Sequence, residues 1–145
     1  MATADWPAAV EGEPRSATLS RVHAWALNHF IWVDDRFTHG VPEHWPAHQE
    51  IESQLRERGE VWDDCDGFTV MCRYALKRLG IRSRLVLCRV ENGGYHAVCE
   101  ADGSVLDNRQ VTVCSTQDLE IVGYRWDRMS GYEPGDPWTL ALRSA

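Results

Sequence analysis

The hydrophobic period of the sequence changes at Gly80, and this change limits the folds that the chain can adopt. Before it, apolar residues recur every three or four positions from Cys65 to Leu79, which predicts a helix with one buried face and Gly80 as its terminator. After it, "RSRLVLCRVE" and "GYHAVCEA" have the composition of strands and are joined by "NGG", a hairpin signal. Helices followed by antiparallel strands predict an α+β domain.

Weaker signals complete this outline. Ser16 is a candidate N-cap for a helix over about 17–33, and a polar helix over about 47–58 lies between Pro46 and Gly59. Beyond the hairpin, "SVLDNRQVTVC" and "EIVGYRW" are predicted as further strands. The 145 residues suit one domain over 16–145, preceded by a flexible arm over 1–15 that is rich in Ala, Pro, Gly and Glu.

Charge and hydropathy exclude some classes of protein. A net charge of -7 argues against nucleic acid as a partner, since that affinity depends on Lys and Arg neutralising phosphates. No apolar run approaches the ~18 residues of a membrane span, and the N-terminus lacks the basic and apolar parts of a signal peptide. We therefore expect a cytoplasmic protein without membrane contact.

Five cysteines form an odd set without a CxxC pair, which favours free thiols over a disulfide framework or a zinc site. Five histidines precede Cys65 without metal-ligand spacing, and we expect them on the surface or in loops: His23, His29, His39, His44 and His48.

Three residues have the chemistry of a thiol hydrolase. Such an enzyme needs a nucleophile, a base and a group that orients the base. Cys65 begins a helix, where backbone N–H groups favour a thiolate. His96 lies in a strand and Asp107 ends the next one, so a hydrogen bond between them is feasible. Each residue also has a purely structural interpretation, as a core cysteine, a core histidine and a turn former.

The combination "DDCDGF", "LKRLGI", "HAV" and "VLDN", in this order, resembles the bacterial transglutaminase-like cysteine proteinases. The resemblance extends upstream to "LNHFIWVDD" and "EHWPAHQEI" and covers roughly residues 20–140. It implies a papain-like fold, with Cys65 as nucleophile, His96 as general base and acid, and Asp107 as the orienting carboxylate. The substrate would be a protein or peptide, and a cytosolic or phage-encoded relative is expected.

Family members that trim surface adhesins bind calcium through acidic residues beside the nucleophile, and Asp64 and Asp66 occupy those places here. No other cofactor is implied. The chain departs from the family at Asp63, which is usually Gly, and at Gly67, where an Asp is typical. Asn28 and the rings of Trp45 and Trp62 are candidates for the substrate cleft, although a local hydrogen bond and core packing are open alternatives.

Two other functions remain open. "DCDGF" is also similar to the signature of NlpC-type cell-wall endopeptidases, which usually take a second histidine as third member, and none follows His96. A binding module without activity would keep the fold but has no need of an intact Cys, His and Asp set. The residues do not distinguish a peptidase from a deamidase or transamidase, and they do not indicate an oligomeric state.

Overall fold

The computed structural model describes residues 5–33, 46–133 and 135–141 and confirms the α+β prediction. Within these ranges, three helices precede the main sheet and a short helix lies within it: α1 (Arg15–Asn28), α2 (His48–Arg58), α3 (Cys65–Arg78) and α4 (Thr116–Ile121). The strands, in chain order, are β1 (Phe30–Trp32), β2 (Val61–Asp63), β3 (Arg84–Arg89), β4 (Tyr95–Ala101), β5 (Ser104–Leu106), β6 (Cys114–Ser115), β7 (Arg125–Met129) and β8 (Thr139–Leu140).

Over these ranges the strands form two sheets. The larger is antiparallel, in the order β6-β5-β4-β3-β7-β8, and its central hairpin pairs β3 with β4 from Arg84 opposite Glu100 to Arg89 opposite Tyr95. The smaller pairs β1 with β2 in parallel and leads directly into α3. Helix α3 begins at Cys65, two residues after β2 ends, so the chain passes from the small sheet through α3 to the large sheet.

Helix α3 connects the helical layer to the large sheet. Its apolar period buries Phe68, Cys72 and Leu76 completely, as the sequence predicts. Asp64 caps the helix by accepting the N–H of Asp66 at 2.9 Å. The buried Thr69 hydroxyl donates to Ala97 O in β4 at 3.1 Å, which fixes the second turn of the helix against the strand.

Apolar side chains cover both faces of the large sheet. One cluster joins α1, α2 and α3 to the sheet through Leu85, Cys99 and Leu106. A second cluster on the other side of the sheet is closed by Leu119 of α4 and by Tyr124, which is fully buried. Fully burying one such side chain stabilises the fold by roughly 1.5–3 kcal/mol.

Helix α1 is shorter than the predicted span of 17–33. It begins at Arg15 and ends at Asn28, and Phe30–Trp32 form a strand instead. These bulky residues pair with Val61–Asp63, some thirty residues further along the chain. The residues around Phe30–Trp32 do not indicate a pairing partner so far along the chain, and this run of Phe, Ile, Trp and Val therefore predicts the end of the helix instead.

The predicted strand "EIVGYRW" is wrong in its first half. Ser115 accepts the N–H of Asp118 at 3.0 Å and thereby begins α4, which runs to Ile121. Gly123, at φ 113°, turns the chain, and β7 starts only at Arg125. The run "SVLDNRQVTVC" is likewise two short strands, β5 and β6, separated by a loop that begins at Asp107.

The stretch predicted as a flexible arm differs from that expectation over its described part, residues 5–14. The Trp6 ring stacks on Trp25 and on His48, with centroids 5.5 and 5.4 Å apart. The indole N–H of Trp25 donates to Asp5 O at 2.7 Å. Stacking the two large rings buries apolar area, and the Asp5 oxygen supplies the acceptor that the buried Trp25 N–H needs.

None of the helices in the described ranges is both long enough and apolar enough to cross a membrane.

The close approach of Asp63 to Gly67 leads to a prediction about stability. A Cβ at this position would lie 2.3 Å from Asp63 Cβ, so we expect Gly67→Ala to destabilise the domain by about 1–3 kcal/mol through overpacking. The same substitution in an Asp63→Gly background should cost much less, because the clashing atoms are then gone. Urea unfolding of the four proteins measures the coupling between the two positions. Additive effects would contradict this explanation of the glycine.

Candidate active site

A buried hydrogen bond joins His96 to Asp107. The sheet register pairs Cys99 with Leu106, which places Asp107, the next residue, diagonally across from His96. His96 Nε2 lies 2.6 Å from Asp107 Oδ1, and the side chains are 6% and 0% exposed. An ionised carboxylate only accepts hydrogen bonds, so Nε2 carries the proton and donates it. Nδ1 is then the ring nitrogen that does not face Asp107.

The environment of Asp107 keeps it ionised. Burial by itself would raise its pKa, but hydrogen bonds from His96, Tyr124 and the backbone N–H of Arg109 together outweigh burial and lower the pKa below its ordinary value. Asp107 is therefore a carboxylate at neutral pH, as an orienting group must be.

Three contacts besides His96 hold Asp107. The Tyr124 hydroxyl donates to Oδ2 at 2.6 Å, and the backbone N–H of Arg109 donates to Oδ1 at 2.9 Å. His23 Nε2 donates to the backbone oxygen of Asp107 at 2.9 Å. His23 is 1% exposed, so the prediction of a surface position is wrong for it. Its place on the buried face of α1, one residue after Val22, was the signal available in the sequence.

Cys65 lies at the first position of α3 and is half-buried. Its thiol donates to Asp66 Oδ1 at 3.8 Å. Burial and the nearby carboxylate of Asp66 raise the pKa of the Cys65 thiol above its ordinary value, and a hydrogen bond from the backbone of Ala97 opposes them in part. Ala97 follows His96 in β4, so Cys65 contacts the strand that carries His96, but over the described residues the thiol donates to Asp66 and not to the imidazole. In this arrangement the thiol is protonated.

Carboxylates surround the thiol. One oxygen from Asp64, one from Asp66 and the Cys65 sulfur all lie within 4.8 Å of one another. Asp63, fully buried, accepts the N–H of Asp64 at 2.8 Å through Oδ1. The Asp63 carboxylate lies 2.7 Å from the point where a Cβ on residue 67 would stand. Asp63 thus occupies the volume that a side chain at position 67 would need, and the two departures from the family pattern are sterically linked.

Of the three residues predicted for the substrate cleft, the structure describes Trp62 and Asn28. Trp62 is 40% exposed in β2, three residues before Cys65, with Arg58 stacked 4.7 Å from the centre of its ring. Its indole N–H donates to Glu60 at 3.0 Å. Asn28 is the exposed last residue of α1 and therefore not in the middle of a helix. Trp45 lies outside the described residues.

Comparisons with known proteins identify the fold. No protein-family model matches the sequence, and no curated protein matches it either. Among solved structures, calcium-bound LapG of Legionella pneumophila is similar with a TM-score of 0.68 and 16% identity, covering 92% of this chain and 74% of that one. EGTA-treated LapG gives a TM-score of 0.68 at 15% identity, covering 91% and 70%. The chain therefore has the transglutaminase-like fold that LapG has.

Proposed function

We propose that this protein is a cysteine peptidase that cleaves a protein or peptide amide through an acyl-enzyme on Cys65. The observation that carries the proposal is the buried hydrogen bond between His96 Nε2 and Asp107, in a strand that Cys65, at a helix N-terminus, contacts through the backbone of Ala97. A nucleophilic cysteine needs a histidine that a carboxylate holds in one tautomer, and the His96 and Asp107 pair supplies it.

The hydrogen bond between His96 Nε2 and Asp107 determines the role that we propose for each residue. Cys65 gives its proton to Nδ1 of His96, the nitrogen that Asp107 does not engage, and the sulfur attacks the carbonyl carbon of the substrate. His96 then donates that proton to the leaving amine as the C–N bond breaks. A water, deprotonated by His96, attacks the resulting thioester, and the acid product leaves as the Cys65 thiol reforms. Asp107 stays ionised throughout and stabilises the imidazolium.

Two features would assist this chemistry. The first is that the hydrogen bond from Cys65 to Asp66 is long and weak at 3.8 Å, so the sulfur can leave it to reach the His96 ring. The second is at the start of α3. Asp64 accepts the N–H of Asp66, so the backbone N–H of Cys65, at the positive end of the α3 dipole, is the group that we assign to the oxyanion of the tetrahedral intermediate.

The fold and the third residue favour this function over the alternatives. LapG, whose fold this chain shares, is a transglutaminase-like cysteine protease. The partner of His96 is a carboxylate, whereas NlpC-type endopeptidases usually use a second histidine. A binding module without activity would have no requirement for the 2.6 Å bond between two buried ionisable residues.

A peptide library tests the activity and the type of reaction. We expect the wild-type protein to cleave a subset of peptides from a digested bacterial proteome in H₂¹⁸O, with ¹⁸O in the new C-termini, because water resolves the acyl-enzyme. Cys65→Ala should remove all cleavage while its unfolding midpoint stays close to that of the wild type, and Cys114→Ala serves as the matched control that retains cleavage. The measurement is mass spectrometry of the products.

Products modified at a glutamine side chain, without chain cleavage, would instead indicate a deamidase or transamidase on the same thiol. No Cys65-dependent product of any kind would contradict the proposed enzyme and favour a binding module.

We further propose that Asp64 and Asp66 bind calcium. Their carboxylate oxygens lie close together and are the hard ligands that calcium takes, so these two residues fit the ion, whereas the Cys65 sulfur is too soft a donor. Among known structures, LapG was solved in a calcium-bound form. A bound cation would offset the negative charge beside the thiol.

Calcium should raise the melting temperature of the wild-type protein, because an ion that binds only the folded state stabilises it. Asp64→Asn should abolish the shift while leaving the helix capped, since Asn caps a helix about as well as Asp. Differential scanning calorimetry with millimolar calcium, and with magnesium as the comparison ion, measures this. Equal shifts in the wild type and the variant, or no shift in either, would contradict a site at these residues.

A further inference from the structure

We infer that Tyr124 is a positioning residue that holds Asp107 in the orientation needed to engage His96, an inference that rests on the proposed function of the His96 and Asp107 pair. The Tyr124 hydroxyl bonds to Asp107, Arg109 and Gln110, and none of these is the proposed nucleophile or base. It is fully buried behind the sheet and acts on the site through one oxygen of Asp107.

The two oxygens of Asp107 have separate partners. Oδ1 accepts His96 Nε2 and the backbone N–H of Arg109, and Oδ2 accepts the Tyr124 hydroxyl at 2.6 Å. A carboxylate rotates about its bond to Cβ, and this rotation would move Oδ1 away from the imidazole. The tyrosine hydroxyl fixes the second oxygen and thereby opposes the rotation.

The hydrogen-bond partners of the Tyr124 hydroxyl fix the direction in which it donates. Arg109 Nη1 donates to the Tyr124 oxygen at 3.0 Å and Gln110 Nε2 donates to it at 3.3 Å. Two donors occupy the acceptor positions of a hydroxyl, so its own hydrogen points to Asp107. Burial and the Asp107 carboxylate raise the pKa of Tyr124, which keeps the phenol protonated and able to donate.

The Arg109 side chain is in turn bound by a residue of the hairpin that carries His96. Glu91, in the turn between β3 and β4, forms a bidentate ion pair with the Arg109 guanidinium. The hydrogen bond from Arg109 lowers the pKa of Glu91 to about 2, so the pair stays charged at neutral pH. A continuous chain of hydrogen bonds therefore runs from this exposed ion pair through Tyr124 to Asp107 and His96.

Tyr124→Phe tests the inference, because it removes the hydroxyl and keeps the ring. The first readout is the ¹H–¹⁵N NMR signal of the His96 Nε2 proton, which should be far downfield and protected in the wild type. In Tyr124→Phe we expect this signal to weaken and the ring to populate both tautomers. The matched control is Tyr132→Phe, which lies under Arg82 and Arg84 and should leave the signal unchanged.

The second readout is the kinetics of a peptide cleaved by the wild type. Loss of the residue that orients a metal ligand costs about 10–100-fold, and we expect kcat to fall by a similar factor in Tyr124→Phe while KM changes little. Arg109→Lys, which keeps the charge but loses the bidentate pair with Glu91, should give a smaller loss in both readouts.

The two readouts separate this inference from the proposed function. An unchanged His96 signal in folded Tyr124→Phe would overturn the inference, whatever the activity. A weakened signal together with a lower kcat supports it. If the wild type cleaves no peptide, the peptidase proposal fails, and the NMR comparison alone still decides whether Tyr124 orients the pair.

Discussion

The hydrogen bond between His96 and Asp107 is the interaction on which the candidate site depends. It exists because the register of β4 and β5 sets the two residues diagonally across from each other at the end of β5. A shift of one residue in this register would turn the histidine to the other face of the sheet. The packing of both sheet faces therefore has a direct chemical consequence, since it fixes the distance between an imidazole and a carboxylate.

Asp107 is held by parts of the chain that are far apart in sequence. Helix α1 contributes His23, the loop after β5 contributes the Arg109 N–H, and the turn before β7 contributes Tyr124. Burying a carboxylate is costly unless hydrogen bonds compensate for the lost water, and these contacts provide that compensation. The same contacts restrict its orientation. Both the stability of the fold and the proposed chemistry thus require the hydrogen bonds that surround Asp107.

The sequence predicted the features that have a local signal. The period of α3, its start at Cys65 and the "NGG" hairpin were recognisable, and the "VLDN" strand end placed Asp107 where His96 can reach it. The strand at Phe30–Trp32 was missed because its partner is β2, and the buried Tyr124 was missed because its role comes from a contact between two turns that are far apart in the sequence. Position 67 shows the same limit, since its glycine is explained only by the side chain of Asp63. Local patterns report helices and turns, whereas three-dimensional contacts decide which polar residues become a site.

The most direct test of the site is the rate at which iodoacetamide alkylates Cys65, with Cys114 as an internal reference in the same molecule. Both thiols are partly exposed, while the other three cysteines are buried. Burial and Asp66 disfavour the Cys65 thiolate, so its reactivity at pH 7 should depend on His96 as the base. We predict that His96→Ala lowers the Cys65 rate by roughly tenfold or more and leaves Cys114 unchanged. Equal Cys65 rates in the wild type and His96→Ala would contradict the account.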